Sequence, residues 1–184
     1  MTVQETDVLV VGGGLGGAAA ALAAAQLGRR VVLTEESAWL GGQMTSQAVP
    51  PDEHPWIETQ GATRNYRRLR NNIRAYYRRT YDLNADARAA ALLNPGGGGV
   101  SQICHEPRVG VIAIGELLAP YQADTQLTVL MEHEPVAAAT EGDQITAVTL
   151  RSRTSGEFSP MPPAKTSVST PPSAAAKEPI HFFA

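Results

Sequence analysis

Cysteine is nearly missing from this chain of 184 residues, which carries Cys104 and no other. A single thiol excludes an internal disulfide framework and any multi-cysteine metal cluster, and it suits a reducing compartment, so a cytoplasmic location is expected. Net positive charge is lacking as well. With 15 Lys and Arg against 18 Asp and Glu the formal charge is −3, leaving no overall field to gather nucleic acid or an anionic membrane surface. Long apolar runs are also absent. The Ala-rich stretch after Leu15 is interrupted by Gln26 and ends at Gly28-Arg29-Arg30, well short of the roughly 18 residues that would suggest a span. Glu5 and Asp7 stand where a secretory leader would place basic residues, so no export signal is expected. His54, His105 and His133 have neither helical ligand spacing nor cysteine companions, and no metal site is expected.

What the chain does hold is concentrated at its start. Asp7-Val8-Leu9-Val10-Val11 is a short, continuously apolar, β-branched run, the pattern of a parallel strand buried on both faces. Gly12-Gly13-Gly14-Leu15-Gly16-Gly17 follows and fits G-x-G-x-x-G, and the helix-forming segment Ala18 to Leu27 comes next, closed by Gly28. Val31-Val32-Leu33-Thr34 reads as a second strand, and Glu35 stands at its end, where a carboxylate accepts from a ribose hydroxyl. The residue types match the chemistry. Gly12 permits a tight turn, Gly14 admits a pyrophosphate to the backbone, and Gly17 allows close packing of helix on strand. Amides at the helix start, around Leu15 and Gly16, face the phosphates along a favourable dipole. Ala21 and Ala25 are small enough to seat that helix close to the sheet. A βαβ unit of this kind predicts an α/β, Rossmann-like fold that binds a dinucleotide, FAD or NAD.

A second glycine pair narrows the choice. Leu40-Gly41-Gly42-Gln43-Met44 follows Glu35 closely and offers further positions without a Cβ beside a bound dinucleotide. Together with the Val10 to Gly17 run and Glu35, this segment resembles the N-terminal region of FAD-dependent oxidoreductases of the two-dinucleotide-binding-domain class. The resemblance extends through Trp56-Ile57-Glu58, the Arg/Tyr-rich segment, Asn94-Pro95-Gly96 and Cys104-His105-Glu106-Pro107-Arg108. It implies FAD as cofactor, held by Gly12, Gly14, Gly16, Gly17, Glu35, Gly41, Gly42 and Gln43, to which the amide of Leu15 at the helix start is added. It also implies a backbone contact to the adenine at Val136, near the start of a β-meander. It fixes no catalytic residue and no substrate beyond a small molecule.

The rest of the chain reads as support. Thr63 to Tyr81 is expected to be a helix with Tyr66, Leu69, Ile73 and Tyr77 on one face and a basic face opposite, solvated or covered by the remainder of the protein, carrying Arg64, Arg67, Arg68, Arg70, Arg74, Arg78 and Arg79. Asn94 to Gly99 is expected to be a flexible loop, since it lacks the strand and the Lys-Ser/Thr of a phosphate cradle. A helix from Pro107 to Ala119, a third parallel strand Leu127 to Met131, and an antiparallel pair Pro135 to Thr140 and Gln144 to Arg151 complete the expected domain, residues 1–153. Residues 154–184, rich in Pro, Ser and Ala, are expected to be a disordered tail, the family's later segments being cut off or read out of frame near Glu157. The expected function is that of the FAD-binding portion of an oxidoreductase. An NAD-dependent oxidoreductase, a non-catalytic remnant and an arginine-helix RNA-binding module stand as alternatives.

Overall fold

A computed structural model describes residues 5–161. Three short strands, β1 (Val8–Val11), β2 (Val31–Glu35) and β3 (Leu127–Met131), form a parallel sheet in the order β1-β2-β3. Val8 lies opposite Val31, and Val31 opposite Leu127. The central position of β2 explains why every one of its residues is buried.

Side chains alternate across a strand, and the two faces of this sheet are covered differently. Val8, Val10, Val31 and Leu33 pack against three helices, α1 (Leu15–Gln26), α2 (Arg64–Thr80) and, after the short α3 (Ala85–Ala89), α4 (Pro107–Ala123). Leu9 and Val32 point the other way and meet Val148, Leu150 and Met161. Those three belong to an antiparallel meander of β4 (His133–Glu141), β5 (Gln144–Ser152) and β6 (Phe158–Met161). The α/β, Rossmann-like expectation holds. Ala21 and Ala25 are fully buried in the seam of α1, as their size requires, and Gly28 takes the left-handed conformation that ends the helix (φ +76°).

Four expectations need correction. The helix from Pro107 continues past Ala119 to Ala123, with Pro120 inside it. Leu117 and Leu118 are buried in the core just before that proline, and the missing amide falls near the C-terminal end, where the helix has little left to lose. Order does not stop at Arg153 either, because β6 pairs with β5, Pro160 opposite Thr149. The remainder of the expected tail, residues 162–184, lies outside the described residues. The Asn94 to Gly99 loop is pinned rather than free. Asn94 Nδ2 donates to the carbonyls of Gly98 and Ser101, and its Oδ1 accepts from the Cys104 amide at 2.7 Å.

The largest correction concerns α2. Its Leu69, Ile73 and Tyr77 are buried as expected, but so are Arg70 and Arg74, only 2% and 3% exposed. Arg70 binds Glu53 and Glu58, and Arg74 shares Glu58 while its Nε donates to the Leu93 carbonyl. Arg67 donates to the carbonyls of Thr59 and Ala62, Arg78 to those of Ala90 and Ala91, and Arg79 to Glu116. This helix is therefore a spine that fastens the irregular segments on either side of it, and much of its charge is already spent.

Candidate dinucleotide site

The strand-to-helix turn is built by close approach. A Cβ placed on Gly17 would sit 1.9 Å from the Gly12 carbonyl oxygen, so only glycine lets α1 start this near β1. A Cβ on Gly13 would strike the side chains of Leu40 and Glu35. Gly14 and Gly16 differ: a Cβ there would meet no protein atom within 4 Å. Packing does not demand glycine at those two positions, and the space beside them is open.

Gly14 is the N-cap of α1, no side chain caps the helix, and its first turn holds no acidic residue. The first-turn amides have no acceptor within the helix itself, so the positive end of the dipole is presented without a competing carboxylate. The second glycine pair is brought directly against it. The Gly41 amide donates to the Gly13 carbonyl at 2.8 Å, Gly14 and Gly41 form a parallel bridge, and a Cβ on Gly42 would stand 3.3 Å from Gly14 Cα. Gly41 (φ +107°) and Gly42 (φ +53°) both occupy the left-handed region that favours glycine. Gln43 is exposed in the single turn that follows, Gly42–Met44.

Glu35 sits at the C-terminal end of β2 and is buried. Its Oε2 accepts from the Gly13 amide and its Oε1 from the Ser37 amide, each at 2.8 Å. These bonds fix the carboxylate while leaving about half of its acceptor capacity free. Glu36 is exposed, pairs with Arg153 and also borders the cleft beside Glu35. That cleft, of about 360 Å³, is lined also by Gly12, Ser37, Gly42, His133 and Pro135. Val136 is not in its lining but stands next to it, at a register break where Pro135 and Ala137 are paired and Val136 has no ladder partner. A bulge locally bends a strand and leaves its extra residue outside the ladder, and Val136 directly follows Pro135, which lines the cleft. On the other side of the glycine pair lies a second cleft of about 300 Å³, bounded by Leu15, Gly41, Gln43, Pro51, Asp52 and Tyr66.

The donor set suits a dinucleotide diphosphate: backbone amides at a helix mouth, two open glycine positions, and a fixed acceptor one strand away. Ser37, which orients Glu35, and Tyr66, which walls the second cleft, were not foreseen. No motif marks either residue, because one acts through its amide and the other arrives from a distant helix. Cys104 is buried, with Sγ donating to the Ser101 carbonyl. Among the described residues no group of three His, Cys, Asp or Glu side chains converges as a metal site would, and no helix is long and apolar enough to cross a membrane.

His105 adds a pH-sensitive element beneath this region. Its Nδ1 faces the Ile103 carbonyl at 2.7 Å, which requires the proton on Nδ1. Burial, only partly countered by that carbonyl and by the charge of Glu53, pulls the imidazole below its usual value of 6.5. The unfolded chain thus takes up this proton first as pH falls. Stability from His105 is full above pH 6.5 and is lost as pH drops toward the lower folded value. Thermal melts of the wild type are expected to decline from pH 7 to pH 5 more steeply than those of His105→Asn, and equal slopes would contradict the assignment.

Residues 7–160 match the family described as FAD dependent oxidoreductase. No curated protein matches. Among solved structures the chain is similar to Mycobacterium smegmatis Sdh1 in complex with UQ1, at 15% identity and a TM-score of 0.53, over 89% of this chain and 33% of that one. The apo form of the Sdh1 complex gives 17% identity and a TM-score of 0.51, over 89% and 34%. Identities this low speak for a shared fold, and the chain spans about a third of the length of these structures. The family match, by contrast, covers most of the sequence, and with it FAD is the cofactor: the chain belongs to the FAD-dependent oxidoreductase family.

Proposed function

We propose that this chain forms the FAD-holding part of a cytoplasmic oxidoreductase that acts on a small-molecule substrate. The diphosphate lies against the mouth of α1, where Gly12, Gly14, Leu15, Gly16 and Gly17 supply amides and open space, with Gly41, Gly42 and Gln43 closing the opposite side. Glu35 accepts from the ribose of the adenosine half, and the bulge at Val136 offers its backbone to the adenine. The two clefts on either side of the glycine pair take the two halves of the dinucleotide. When bound, FAD supplies the hydride or electron chemistry; the residues described here bind it, orient it and keep the diphosphate charge neutralised.

The carrying observation is the pairing of the two glycine segments at an uncapped helix mouth beside a fixed carboxylate. Gly14→Ala tests it cleanly. The backbone there has an ordinary negative φ of −57°, and a Cβ meets nothing in the protein. Stability is expected to change by no more than about 1 kcal/mol, the scale of an altered N-cap. FAD and ADP affinity are each expected to fall about 10- to 100-fold, as a clash of about 1–3 kcal/mol implies. Unchanged affinity for both ligands in calorimetric titration would sink the reading. A wild-type protein that binds NADH and releases no flavin on denaturation would replace FAD with a nicotinamide.

A further inference from the structure

The second cleft has a wall of unusual origin. Pro51 and Asp52 come from the loop after the glycine pair, and Tyr66 comes from α2. All three depend on one residue that is not itself in the lining, Glu53. Its side chain is only 4% exposed, and it directly follows Pro51 and Asp52 in the chain. Its Oε1 accepts from the Tyr66 hydroxyl and from Arg70 Nη1. A single buried carboxylate therefore fixes both strips of the wall.

Arg70 makes that anchor durable, since it is also held by Glu58, which Arg74 holds in turn. The four charges cancel within the cluster, so the loop is tied to α2 without a net buried charge. Burial, reinforced by the hydrogen bond to Glu53, pushes the Tyr66 phenol upward, and the tether stays protonated at any physiological pH. The other cleft, beside Glu35, owes nothing to this arrangement. Its lining comes from the ends of β1 and β2, Glu36 and Ser37, the stretch of Gly42, Ser46 and Gln47, and the start of β4, and includes none of Glu53, Tyr66 and Arg70.

We propose that Tyr66 is a contact residue for the flavin half of the cofactor and that Glu53 is its positioning residue, setting that half of the site independently of the adenosine half. The inference rests on the cofactor reading above and goes beyond it by naming residues that no nucleotide motif contains. ADP carries only the adenosine half, so comparing it with FAD isolates the effect.

The test uses the full chain and two variants, Tyr66→Phe and Tyr66→Ala, titrated with FAD and separately with ADP. Tyr66→Phe keeps the ring and removes only the tether to Glu53, leaving the Glu53 to Arg70 pair in place. It is expected to weaken FAD by about 3- to 10-fold, the range one net hydrogen bond supports, with ADP unchanged. Tyr66→Ala also removes the wall and is expected to weaken FAD further, again sparing ADP. Circular dichroism shows whether each variant is folded, and Tyr66→Phe alone decides the matter if the alanine variant is not. Equal losses for FAD and ADP would overturn the inference, because Tyr66 would then act on the whole fold. Unchanged FAD affinity in a folded Tyr66→Phe protein would overturn it too. A wild-type protein that takes up neither ligand would overturn the cofactor reading, and this inference with it.

Discussion

Arg70→Ala is expected to destabilise the protein by about 3–5 kcal/mol, the cost of leaving buried charge without its partner. Arg70 is 2% exposed and is bound by both Glu53 and Glu58. Its loss leaves the Glu53 charge with only the neutral Tyr66 hydroxyl and leaves Glu58 to Arg74. Typical domains hold only about 5–15 kcal/mol in total, so the variant should unfold at markedly lower urea. The acids contribute to the same balance. Burial alone would raise the Glu58 carboxyl, but the Arg74 and Arg70 guanidiniums outweigh it and hold it below its usual 4.5. A depressed carboxyl adds stability above pH 4.5 that is lost as pH falls toward the folded value. The diagnostic comparison is the double variant Arg70→Met with Glu53→Leu. Removing both charges of a buried pair is far milder than removing one, so it should recover part of the loss, and strictly additive effects would contradict the coupling.

Gly17→Ala should be the most damaging change in the nucleotide turn. Its Cβ would lie 1.9 Å from the Gly12 oxygen and 3.0 Å from the Gly12 carbonyl carbon. The obstacle is backbone, with no side chain to swing aside, so α1 must lift from β1. A cost above about 3 kcal/mol is expected, beyond the usual range for an overpacked core. Urea unfolding and soluble yield would both register it. The contrast with Gly14→Ala is the informative result: one glycine of the motif is needed for folding, and the other is needed only when ligand arrives. If both variants folded equally well, the close approach of helix and strand described here would be wrong.

The difference between what the sequence disclosed and what it concealed has a physical basis. The turn from β1 to α1 was legible because the demand for glycine is local and the apolar runs on either side have a clear period. Gly41 and Gly42 were legible for a similar reason, since positions lacking a Cβ draw attention on their own. The inward course of Arg70 and Arg74 was not. Their partners Glu53 and Glu58 lie in an irregular segment, and nothing in the spacing of arginines along α2 distinguishes a paired guanidinium from a solvated one. β6 was hidden by Pro160, which argues against a strand. It is tolerated because β6 is at the edge of its sheet, where a missing amide costs no ladder bond. The bulge at Val136 also escaped composition and periodicity; only the resemblance to flavoproteins pointed there.

Leu9 and Val32 depend for their cover on Val148, Leu150 and Met161, and this has a bearing on synthesis. The nucleotide turn leaves the ribosome well before the antiparallel meander, yet one side of the sheet beneath it stays bare until the last described strand has emerged. Contacts that distant in sequence are slow to close, and a nascent apolar surface left waiting is prone to association with other chains. Maturation of the proposed cofactor pocket is thereby tied to completion of β6, far downstream of Gly12 to Gly17.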